Sequence, residues 1–91
     1  MPKGNDLYYF IEAIKLRQEK KFDDLISLYE NEIFNLSITR RFSLDRGLFM
    51  IENLNPAQKN RVKTYAIKML EKEPEGSKYA STYRNYINNP L

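Results

Sequence analysis

The chain has 91 residues, 42% of them hydrophobic and 30% charged, with a formal net charge of +3 and neither cysteine nor histidine. That length holds one domain at most and buries roughly 60–65% of its unfolded surface, which leaves little room for a deep enclosed active site. Disulfides and thiolate chemistry are excluded, the usual neutral-pH base is missing, and zinc or copper sites are not expected without thiolate or imidazole ligands.

Residues 6–36 contain no glycine and no proline. Leu7, Phe10, Ile11 and Ile14, then Phe22, Leu25, Tyr29, Ile33 and Leu36, recur at helical spacing, and the stripe is interrupted at Gln18 and Lys21. Asn5 or Asp6 is suited to cap the first helix. Lys20 and Lys21 suit a helix C-terminus and Asp23 and Asp24 an N-terminus, because each charge complements the dipole there. The order predicts a hairpin of helices at about 6–20 and 22–36. A single helix over the same residues would span roughly 45 Å and make a homodimer the leading expectation.

Residues 37–42 read as a connector. Ser43 is expected to cap a helix at about 43–53, with Asp45 in its first turn and Leu44, Leu48 and Ile51 buried. Asn55-Pro56-Ala57-Gln58 marks the next start: cap, preorganised first position, and a glutamine that bonds back to the cap. This helix should cover 56–72 with Val62, Tyr65, Ala66, Met69 and Leu70 on its inner face. Pro74 and Gly76 stop it, and a last helix at about 77–87 presents Tyr79, Tyr83, Tyr86 and Ile87. The fold class predicted is all-α: a compact bundle of four or five short helices.

Within this pattern Leu16-Arg17-Gln18-Glu19-Lys20-Lys21-Phe22-Asp23-Asp24-Leu25-Ile26-Ser27-Leu28-Tyr29-Glu30 resembles the turn and second helix of a tetratricopeptide repeat. The likeness covers about residues 7–36, has Lys20 or Lys21 in place of the turn glycine and Leu25 in place of a small residue, and has no second copy at the 34-residue period. It implies a hairpin closing at Lys20 to Phe22, not a repeat array.

No feature points to catalysis. The three glycines stand far apart and form no phosphate loop. The pairs Asp23/Asp24 and Glu30/Glu32 diverge on a helix and do not converge on one ligand. The expectation is a protein without enzymatic activity, cofactor or metal. No apolar run reaches the roughly 18 residues of a membrane span, and the first residues lack a signal-peptide core, so a cytoplasmic protein is expected. Asn, Lys, Ile and Tyr together supply 33 residues; their AT-rich codons suit an AT-rich genome, such as that of a low-GC bacterium, a phage or another virus, or a mobile element.

Two modes of action remain. The first is binding another protein, through Tyr8, Tyr9, Leu28 and Phe34, expected off the buried stripes, with Asp23, Asp24, Glu30 and Glu32 beside them. The second is nucleic-acid binding. Residues 37–91 carry ten lysines and arginines against five acids. The candidates are Arg40, Arg41 and Arg46 with the basic-aromatic last helix, Lys78, Tyr83 and Arg84.

Overall fold

In the computed structural model, which describes residues 6–90, the expected hairpin is formed by Asp6–Gln18 (α1) and Phe22–Asn31 (α2). The reversal is made by Lys20, whose φ of +58° lies in the left-handed region. The Lys21 amide donates to the Leu16 carbonyl at 2.9 Å and the Lys20 amide to the Arg17 carbonyl at 3.1 Å. These are the paired bonds of a Schellman ending, where glycine is the usual occupant. Lysine therefore stands in the conformation that the missing turn glycine would have taken. Asp23 and Asp24 occupy the first turn of α2. The cap expected of Asn5 or the Asp6 side chain lies outside the described residues.

The next boundaries differ from the expectation. α2 ends at Asn31, and a 3₁₀ turn, Ile33–Asn35, carries the stripe onward so that Ile33 and Leu36 stay buried. Ile38–Phe49 (α3) starts five residues before the helix predicted from Ser43. Ser37, not Ser43, precedes the first turn, and its carbonyl accepts from the Arg40 and Arg41 amides at 3.0 Å each. The β-branched residues that suggested a connector are tolerated here because the early start places Arg41 one turn before Asp45 on the same face.

Pro56–Lys72 (α4) has the predicted limits. Asn55 Oδ1 accepts from the Gln58 amide at 2.7 Å, and Gln58 Oε1 accepts from the Asn55 amide at 3.0 Å. Both halves of the capping box are present, so two amides with no intrahelical partner are satisfied. Gly76, at φ +86°, turns the chain after α4. Ala80–Asn88 (α5) begins three residues later than expected, because Ser77 ties down the turn: its hydroxyl donates to Glu73 Oε1 and accepts from the Tyr79 amide.

The result is an all-α bundle, with five α-helices and no strand among the described residues. α2 lies between α1 and α4, α5 packs on α4, and α3 lies against α1. The radius of gyration is 12.5 Å, close to the roughly 12 Å of a folded domain of this length. The shortest dimension, 17 Å, is about one and a half helix diameters.

The centre is polar. Asp45 is fully buried and Arg41 only 2% exposed. Arg41 Nε donates to Asp45 Oδ2 at 3.1 Å, and its Nη1 donates to the Leu36 carbonyl at 2.7 Å. Tyr65 donates to Asp45 Oδ1 at 2.7 Å and Tyr83 donates to Oδ2. Tyr29 donates to the carbonyl of Leu44, the residue before Asp45. Three donors thus face the two oxygens of Asp45. Burial raises its carboxyl above the ordinary range, while both tyrosines and Arg41 pull it down. The buried Arg41 cation and the two donating hydroxyls favour the ionised form against that burial. Tyr29, Tyr65, Tyr83 and Tyr86 are all pushed above their ordinary value, first by burial. Tyr83 of the last helix turns its hydroxyl into the core. Asp45, expected in the first turn of its helix, lies in the later half of α3.

Candidate protein-binding surface

α1 carries two apolar triplets with the same spacing. Leu7, Ile11 and Ile14 form one; Tyr9, Ala13 and Leu16 form the other. At 100° per residue they lie on opposite sides of the helix. The structure turns the second triplet inward, with Tyr9 and Ala13 buried and Leu16 half-buried. Leu7, Ile11 and Ile14 remain 55%, 52% and 52% exposed. Of the predicted inner stripe of α1, Phe10 packs half-buried against the core, whereas Leu7, Ile11 and Ile14 form an outer ridge. Aromatic area decides the outcome: Tyr9 packs edge-on against Tyr8 at 5.3 Å and its hydroxyl reaches Glu32 Oε1 at 3.4 Å, which ties α1 to the end of α2.

Beside the ridge a groove of about 180 Å³ runs between α1 and α3. Phe10 and Ile14 form its α1 wall, Ser43 and Gly47 its α3 wall, and Leu25, Tyr29, Leu44 and Leu48 lie beneath. Arg17 is the charged residue of this lining, and it also lines a shallower hollow with Lys20, Phe22, Met50 and Glu52. Met50, 62% exposed, extends the apolar surface along α3.

The proposed protein-binding residues divide among three places. Tyr8, Leu28, Asp24 and Glu32 come together around an open hollow of about 380 Å³ between α1 and α2. Tyr9 and Leu28, expected off the buried stripes, are in the core. Asp23 and Glu30 face α4: Arg61 Nη2 meets Glu30 at 2.6 Å, Arg61 Nη1 meets Asp23 at 3.4 Å, and Gln58 also donates to Asp23. Glu30, by hydrogen bonding, is the leading cause of the raised Arg61 pKa. Phe34 lies apart, half-buried, with the Lys72 ammonium 5.6 Å from its ring centre.

The nucleic-acid candidates are also divided. Arg41 and Tyr83 belong to the core network and present no surface, which corrects their assignment to an exposed basic-aromatic patch. Arg40, Arg46, Lys78 and Arg84 are exposed. Lys78 sits 5.2 Å from the Tyr79 ring. Among the described residues no helix is long and apolar enough to cross a membrane, and no cluster of acids could hold a metal ion.

The ridge was missed because both triplets on α1 satisfy the same periodicity. The signal available was their coexistence: a helix apolar on two sides needs cover on both. The comparisons add no relative: no protein-family profile, curated protein or solved structure matches this chain.

Proposed function

We propose that the protein acts in the cytoplasm by binding another protein, as an adaptor, inhibitor or accessory regulator, without catalytic activity. The observation that carries this reading is the ridge Leu7, Ile11 and Ile14, about half exposed on a helix whose opposite side is core. Singly exposed apolar residues are ordinary, but a ridge continuous with an apolar groove marks an interaction surface. Arg17 and Lys20 at its margin supply orientation, as charged rims do.

The test is recovery of partners from the source cell by the wild-type chain and by Ile11→Glu/Ile14→Glu. Both substitutions are on the solvent side and leave the core intact. Loss of a specific partner with retained helicity supports the reading; identical recovery by both chains rejects it. Retention of DNA or RNA in a gel shift, falling steeply with salt, would favour the nucleic-acid reading instead.

A further inference from the structure

We infer that the groove between α1 and α3 receives an amphipathic helix of another protein, apolar residues inward and a carboxylate set against Arg17. The inference rests on the protein-binding reading and names the chemistry of the partner. The groove is the apolar kind of cleft into which a helix lays residues at i, i+3, i+4 and i+7. Two observations specify its occupant.

The first is Gly47. It stands inside α3, where glycine is unfavourable, and neither its backbone nor its packing requires it. Its φ is not in the left-handed region, and an added Cβ would meet only the flexible tip of Arg17, at 3.6 Å. Any larger side chain at this position would enter the groove. The glycine keeps the α3 wall low enough for another helix to approach.

The second is the charge of Arg17. Its guanidinium reaches across to Gly47 and makes no ion pair among the described residues. An exposed guanidinium over an apolar floor calls for a carboxylate, which it can hold through two parallel hydrogen bonds. A second copy of this chain suits the site poorly. Its own α1 would bring Lys15 and Arg17 to a margin that already holds Arg17 and Lys20, where Glu52 is the one acid lining the adjoining hollow.

The probe is a labelled helical peptide with leucines at i, i+3, i+4 and i+7 and glutamates on the flanking positions, read by fluorescence anisotropy against the full chain. A twin with lysines in place of the glutamates serves as its comparison. The expected result is at least about tenfold tighter binding of the acidic peptide. Arg17→Glu should reverse the preference. Gly47→Leu, which fills the groove, should weaken binding by at least about tenfold while circular dichroism confirms the fold. Equal affinity for the two peptides, or indifference to Gly47→Leu, overturns the inference. So does sedimentation showing a dimer that Ile14→Glu dissociates, which would make a second copy the occupant. If the peptides fail while partner recovery still depends on Ile11 and Ile14, the ridge stands without the groove; if both fail, the protein-binding reading falls as well.

Discussion

Asp45→Asn is nearly isosteric and changes the core through charge and hydrogen bonding alone. The remaining carbonyl oxygen can accept from Tyr65, as Asp45 Oδ1 does. The new amide then turns an NH₂ toward Arg41 Nε and the Tyr83 hydroxyl, which both donate to Asp45 Oδ2. Donor then faces donor at Arg41 Nε, the Tyr83 hydroxyl must turn from donor to acceptor, and the Arg41 cation, only 2% exposed, loses its counter-charge. Breaking a buried pair from one side costs about 3–5 kcal/mol. A domain of this length has roughly 5–14 kcal/mol in total, so the variant should lose about a fifth of its stability or more. Urea unfolding followed by circular dichroism would measure the loss, with Tm falling by more than about 10 °C. The double variant Arg41→Gln/Asp45→Asn removes the stranded cation, and should be more stable than the sum of the single changes predicts by at least about 1 kcal/mol. A loss below about 1 kcal/mol for Asp45→Asn, or strict additivity in the cycle, would refute the claim that the pair acts as a unit.

Alkaline pH should unfold the chain through its tyrosines. Tyr29, Tyr65, Tyr83 and Tyr86 hold their protons above the ordinary value of 10.0, so the stability they contribute is complete below pH 10 and lost as pH rises beyond it. Each costs about 1.4 kcal/mol per pH unit there, and their phenolate absorbance should rise together with loss of helix; ionisation of all seven tyrosines before helix loss would contradict this. Gly47→Ala should stabilise α3 by about 1 kcal/mol, because the new methyl meets only Arg17 at ordinary contact distance; a destabilised variant would show that the groove wall cannot accept a methyl. Lys20→Gly should raise stability by about 0.5–1 kcal/mol, relief of left-handed strain exceeding the added freedom of the unfolded chain; a lower Tm would mean that the Lys20 side chain contributes more than its backbone strain costs.

The elements that were legible in the sequence are those with explicit punctuation. Asn55-Pro56-Ala57-Gln58 gives the start of α4 to the residue, and Lys20-Lys21 followed by Asp23-Asp24 gives the hairpin. α3 carries a weaker signal. Ser37 and Ser43 can both precede a helix, and only the tertiary pairing of Arg41 with Asp45 chooses the earlier start. The i,i+4 spacing of that pair is visible in the sequence, but the same spacing serves ordinary surface pairs. Burial of the pair depends on Tyr65 and Tyr83, 20 and 38 residues further along. The face of α1 was illegible for another reason: two apolar triplets compete, and periodicity ranks them equally.

The partners of Asp45 and Arg41 come from α3, α4, α5 and the Leu36 carbonyl, and Tyr29 adds α2 through the Leu44 carbonyl. Among the described residues, α1 supplies no hydrogen-bonding partner to Asp45 or Arg41. It is held by apolar contacts and by the Tyr9–Glu32 bond at its margin. Amide hydrogen exchange should therefore divide the molecule into two cooperative units. α1 opens at low free energy by detaching alone, whereas amides of α3 to α5 exchange only when the entire chain unfolds. A partner seated on the outer side of α1 would close the weaker unit between two surfaces, and protection of its amides would rise toward the global limit.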